Sequence, residues 1–127
     1  MSYAPVNNIL VLRGDLDTIN SVLQNTEIKS AFSGITKDKL PGDKATPTNL
    51  DNGDEYWIFY ETDGEPHEEF PELIKNKYPN LRVFFSSIDY DEFCFAYYKE
   101  FGVDREYNYR TRNDQIMEKK FNDFVTH

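Results

Sequence analysis

Cysteine is almost missing from this chain: Cys94 stands alone, so no intrachain disulfide can staple the fold. Within "FCFAYY" it reads as a small core side chain without redox work. Histidine is nearly as scarce. His67 and His127 are the only two, and "PHEEF" lacks the second histidine of an H-E-x-x-H zinc helix. One Cys and two separated His do not supply the ligands of a structural zinc site, so neither metal nor cofactor is expected. No Gly-rich phosphate loop, nucleophile elbow or Ser/His/Asp spacing occurs, so no catalytic residue is named and a non-enzyme is expected. Long apolar runs are absent as well. None approaches the roughly 20 residues of a membrane helix, and no basic segment followed by an apolar one lies near Met1. The expectation is a cytoplasmic protein, in whichever cell makes it, with no membrane partner.

Positive charge is missing from the middle of the chain. Between Lys44 and Lys75 there is no Lys or Arg, while nine acids lie there: Asp51, Asp54, Glu55, Glu61, Asp63, Glu65, Glu68, Glu69 and Glu72. Over the whole chain 23 acids oppose 14 bases, a net charge of -9. Binding a phosphate backbone directly would need a local reversal of that sign, so no direct nucleic-acid partner is expected. From Arg105 onward five bases meet four acids, and the balance is nearly even.

Aromatic residues are what the chain has in quantity. Ten Phe and nine Tyr, within 39% hydrophobic residues, argue against a disordered chain. A length of 127 residues is that of one domain able to bury a core. "NILVLR", ended by Gly14, reads as a buried strand. Asp15 then suits a helix N-cap, with Leu16, Ile19, Val22 and Leu23 along one face. Residues 33–53 hold three Gly and two Pro and read as a long loop, with a strand over Ala31 to Ile35 as an alternative at its start. Tyr56 to Glu61 has strand composition, and "TDGEP" turns the chain. A helix follows from Pro66, its start delayed or bent by Pro71, with Phe70, Leu73, Ile74 and Tyr78 as its apolar stripe and "YPN" as its stop. Leu81 to Ser87 and Glu92 to Phe101 form a hairpin through "SIDYDE". Residues 105–127 make a C-terminal appendage: "REYNYRTR" as an edge strand or extended connection, then an amphipathic helix from about Asn113.

The fold class that follows is α+β: a ferredoxin-like two-layer sandwich, a mostly antiparallel sheet of four to five strands with two helices on one face. In a strand Phe93, Phe95 and Tyr97 point one way and Cys94, Ala96 and Tyr98 the other. The small residues let helices approach, which leaves Phe93, Phe95 and Tyr97 as a sheet face for binding. The alternative is that the C-terminal segment covers that face and completes the core. Base stacking on such a face is how RNA-recognition modules work, but the basic and Gly positions of their signature are missing from "EFCFAYYKEF".

The order of elements, with "NNILVLRG" opening the chain, "FYETDGEP" before a helix and "KYPNLRVFF" after it, resembles the YubB-like proteins, small phage- and plasmid-encoded proteins with a ferredoxin-like domain. The likeness spans roughly Asn7 to Phe101. Trp57 is the only tryptophan, and Asp-Gly stands after Thr62 where that family tends to have Trp, so no binding pocket is carried over. The resemblance implies a fold and a mobile-element origin, and it implies no reaction.

Three functional readings are weighed. The first is a non-enzymatic acidic interaction protein of phage or mobile-element origin that inhibits or modulates a host protein, a nucleic-acid-handling or defence complex, with the acidic run imitating a phosphate backbone. Its contacts are Tyr56, Trp57, Tyr60, Glu61, Asp63, Glu65, Glu68, Glu69 and Glu72, and it leaves a homodimer open. Solvation is the bland account of the same acids. The second is a small-molecule or nucleotide-binding domain using the aromatic sheet face, with 33–53 as a lid. The third is a weak hydrolase built on Glu61, Asp63 and His67, residues that also suit turn, cap and solvated positions.

Overall fold

The computed structural model describes residues 5–40, 54–89, 95–103, 105–110, 119 and 121–125. Five strands form one antiparallel sheet: β1 (Pro5–Gly14), β2 (Asp54–Asp63), β3 (Arg82–Asp89), β4 (Phe95–Phe101) and β5 (Arg105–Arg110). Their spatial order is β2-β1-β3-β4-β5. Three helices lie between them in sequence, α1 (Leu16–Gln24), α2 (Thr26–Ile35) and α3 (Glu69–Lys77). Since β2 and β3 both run antiparallel to β1, they are parallel to each other, and β2-α3-β3 is a split crossover with β1 between its strands. The result is a ferredoxin-like α+β sandwich.

The helices cover one face of the sheet. Ile19, Val22 and Leu23 of α1, Ile28 and Phe32 of α2, and Phe70 and Ile74 of α3 pack on Leu10, Leu12, Ile58, Val83 and Phe85. Asp15 caps α1 as its sequence predicts, accepting from the Thr18 N–H at 3.2 Å. Residues 33–35 correct the expected loop, and the strand alternative over Ala31 to Ile35 fails with it: they end α2, making three helices rather than two. The cause is Asn25, whose side chain accepts from the Ile28 N–H at 3.0 Å and so starts a new helix. Ile28 and Phe32, four residues apart, then bury one stripe. Residues 36–40 carry neither helix nor strand, as the loop reading expects, and 41–53 lie outside the described residues.

Helix α3 begins at Glu69, later than Pro66, and Pro71 sits in its first turn, where the missing N–H has no intrahelical partner to lose. Gly64 turns the chain out of β2 with φ 77, which suits glycine. The expected hairpin of β3 and β4 is present, paired Ser86 to Tyr98, and Arg105–Arg110 is an edge strand on β4. Tyr97 corrects the reading of β4. It packs against the helix-side core, while Tyr98 lies on the other face, because the side-chain register of β4 is the reverse of the one expected. Phe93 and Cys94 lie outside the described residues, as does the side chain of Phe95.

The second face has a core of its own. Val11, Phe84, Ile88 and Tyr98 of the sheet meet Phe121 and Val125 from the helical residues 121–125. Residues 121–125 therefore cover this face, which is part of what the alternative reading expected of the C-terminal segment, while Arg105–Arg110 extends the sheet instead; the expected helix start near Asn113 lies outside the described residues. Phe121→Ala removes from that cover a ring that touches Trp57 and Tyr98 at 5.5 and 5.3 Å between centroids. It should cost about 3–5 kcal/mol in denaturant unfolding, as a buried Phe→Ala change does. A cost near zero would mean that 121–125 is not packed on the sheet.

Candidate functional site

Strand β2 is the outer strand on the side of the sheet away from the hairpins, and its alternation divides the residues expected to bind. Tyr56, Ile58, Tyr60 and Thr62 face the helices; Trp57, Phe59 and Glu61 face the other way. Tyr60 is the main correction. It is 3% exposed, and its ring meets Phe32 and Phe70 at 5.1 and 6.1 Å, so it is a core residue that no partner can reach. Tyr56 is half-buried against the same core. Trp57 is half-buried on the opposite face, held by its indole N–H donating to Glu55 Oε1 at 2.5 Å.

The residue missed is Phe59. It is 66% exposed, and Trp57 stacks on it at 6.1 Å. A period-2 reading of "YWIFYE" places Phe59 with Trp57, but only the extent of the C-terminal cover decides which of the pair is left in water.

Glu61, Asp63, Glu65, Glu69 and Glu72 are exposed, whereas Glu68 is half-buried with Oε1 lacking a partner among the described residues. His67, held at φ 54, lies 3.3 Å from Glu65 and 2.9 Å from Glu69 through Nδ1. Glu69's own backbone N–H, and then the His67 ring, hold its carboxyl below the usual glutamate range. His67 is thus engaged by Glu65 and Glu69, with no contact to Glu61 or Asp63 on which a hydrolytic set could rest. Among the described residues no group of three or more His, Cys, Asp or Glu is placed to hold a metal ion. No helix among them is long and apolar enough to cross a membrane.

A cleft of about 310 Å³ opens between the end of α2 and β2, lined by Ser33, Gly34, Ile35, Thr36, Lys37, Asp38, Glu61 and Asp63. Three carboxylates against one lysine make it a poor seat for a nucleotide's phosphates. Its floor is a plug on the edge of β2. The Glu61 N–H donates to Asp38 Oδ2 at 2.8 Å, and the Glu61 carbonyl accepts from the Thr36 hydroxyl. Lys75, the first base after the acidic run, is spent on the carbonyls of Pro79 and Leu81 at 2.9 and 2.7 Å.

Burial, and then the charge of Glu69, push the Tyr60 phenol above the ordinary tyrosine range, and its hydroxyl has no partner among the described residues. Removing an unpartnered buried hydroxyl should stabilise, so Tyr60→Phe is expected to gain about 1 kcal/mol at neutral pH. Because the folded-state pKa lies above the unfolded value of about 10, the unfolded chain releases the proton first and the parent loses stability as pH rises above that value. The advantage of Tyr60→Phe in denaturant unfolding should therefore widen above about pH 10. A Tyr60→Phe protein less stable than the parent would show that the hydroxyl is bonded after all. Comparison of the chain with protein-family models, with curated proteins and with solved structures found no match.

Proposed function

We propose that this chain is a non-enzymatic acidic interaction protein that binds a host protein and inhibits or modulates it. The target we favour is a nucleic-acid-handling or defence complex in the cytoplasm, and the origin we favour is a phage or other mobile element; the origin rests on the sequence resemblance alone. The observation that carries the reading is the outer strand β2. There an exposed Phe59 and a stacked Trp57 stand beside exposed Glu61 and Asp63, with Glu65 and Glu69 directly after the turn. An exposed aromatic flanked by one sign of charge is the composition of a contact surface: the ring supplies lasting burial, and the charge sets the encounter rate and the choice of partner. Proteins that handle nucleic acid carry basic grooves, and a run of carboxylates without a base between them complements such a groove. The contact set is thus Trp57, Phe59, Glu61, Asp63, Glu65, Glu69 and Glu72, with buried Tyr60 and half-buried Tyr56 and Glu68 withdrawn.

The second reading, a small-molecule domain, has the cleft beside Glu61 in its favour. With that lining it would take a cationic or neutral polar ligand rather than a nucleotide.

The test is an affinity pull-down of the tagged protein from bacterial lysate, with and without nuclease, read by mass spectrometry. A stoichiometric, nuclease-resistant host protein is expected, released by rising salt as a charge-steered complex should be. It should be lost when Glu61, Asp63, Glu65 and Glu69 are changed together to their amides. A partner retained by that variant, or none above background across hosts with and without defence systems, overturns the reading. A rise in melting temperature with small cationic ligands then favours the cleft.

A further inference from the structure

We infer that the outer edge of β2 at Trp57 and Phe59 accepts an extended segment of the partner as an added antiparallel strand, with a Lys or Arg opposite Phe59. This rests on the interaction-protein reading and states how that surface is used.

The main-chain directions along β2 follow from Glu61. Its N–H and C=O are taken by Asp38 and Thr36, so they point away from β1. In an antiparallel pair, alternate residues share that direction, so the N–H and C=O of Phe59 and Trp57 also point outward. Among the described residues nothing bonds them. Thr36 and Asp38 close the edge at Glu61, which fixes where an added strand must stop.

A strand laid on this edge would exchange bonds with Trp57 and Phe59, and the residues opposite these two would project on the face that carries the exposed Phe59 ring. The residue opposite Phe59 has Glu61 as its diagonal neighbour, at roughly 7–8 Å in such pairings, within reach of a long side chain. A Lys or Arg there meets the face of an exposed ring and an exposed carboxylate together. Two residues further along the added strand, opposite half-buried Trp57, an apolar side chain fits. The pattern recognised is basic-x-apolar.

A second copy of this chain fits badly. Antiparallel self-pairing centred on Phe59 sets Trp57 opposite Glu61 and Glu55 opposite Asp63, adding carboxylates to an edge that already lacks bases, and like charges across strands repel.

The probe is a capped peptide of about seven residues with arginine and valine two positions apart and threonine elsewhere, added to the isotopically labelled full chain and followed by amide shifts and hydrogen exchange. Slowed exchange and shifts centred on Trp57 and Phe59 are expected. Three controls should fail to produce them: the peptide N-methylated on its pairing edge, a glutamate–valine peptide, and the protein with Phe59→Pro. Proline is tolerated where an edge N–H faces outward, so that variant keeps its fold and should bind at least about tenfold more weakly. Absence of protection at Trp57 and Phe59, equal binding of the N-methylated peptide, or a concentration-dependent dimer of the protein through this edge each overturns the inference. The two proposals fail separately. A host partner still captured by Phe59→Pro leaves the interaction reading standing and removes strand addition; peptide protection at Trp57 and Phe59 without any host partner does the reverse.

Discussion

The constraint on which everything else depends is that the middle of the sheet must be dry on both sides. Leu10 and Leu12 of β1 are fully buried beneath the helices, and Val11 between them is fully buried on the opposite face. Val83, Phe84 and Phe85 repeat the pattern on β3. Antiparallel sheets commonly leave one face to water; the middle of this one is covered on both. Helices α1 to α3 satisfy one side, and the other needs Phe121 and Val125 from the far end of the chain. Phe84 marks the junction of two kinds of cover. The Phe124 ring meets it edge-on at 6.1 Å, while the guanidinium groups of Arg13 and Arg82 lie 5.3 and 4.8 Å from its centroid.

Those two arginines show how charge is accommodated in that cover. Arg13 and Arg82 are directly opposite on neighbouring strands, an arrangement that repels. Each is therefore matched to a carboxylate. Arg13 bonds Glu55 through Nε at 3.0 Å, and Arg82 takes Glu100 in a two-pronged contact at 2.9 and 3.0 Å. Hydrogen bonding to Glu100 raises the Arg82 pKa further. Glu55 thereby leaves the pool of acids that β2 could offer a partner, although its place in the acid-rich middle of the sequence looked the same as that of Glu61. Glu61 has no arginine opposite it: its register partner on β1 is Asn7.

What the sequence made legible was what local chemistry decides. Asp15 as a cap, Gly64 at a turn and Pro79 after the last turn of α3 each act over a few residues. Asn25 carries the same kind of signal, and Ile28 and Phe32 confirm it by spacing, but the Ser, Gly and Thr that follow drew the segment toward a loop. What local pattern could not decide was which face of a doubly apolar strand is which. The aromatics of "YWIFY" read alike on both faces of β2, and the choice between a buried Tyr60 and an exposed Phe59 is made by Phe32 and Phe70 on one side and by the reach of 121–125 on the other. Those partners lie ten or more residues away in the chain. The acids were easier to place, since exposure is their default; pairing with Arg13 removes Glu55 from it, and Glu68 is half-buried without such a pair.

Edge strands are hazards, and charge is an ordinary protection, so Glu61 and Asp63 beside an open edge could be read as defence against self-pairing and nothing more. That account covers the carboxylates and the Thr36–Asp38 plug. It does not cover Phe59. A protected edge gains nothing from a large ring that is 66% exposed, because apolar surface beside unpaired main-chain groups is what such protection exists to avoid. A lysine or threonine at that position would serve the strand equally well and the solubility better. Charge that rejects a second copy and a ring that rewards contact are in conflict only if the surface is meant to stay empty. For a partner of opposite sign the two act together, since the carboxylates that repel the chain's own edge attract a basic one and the ring then holds it.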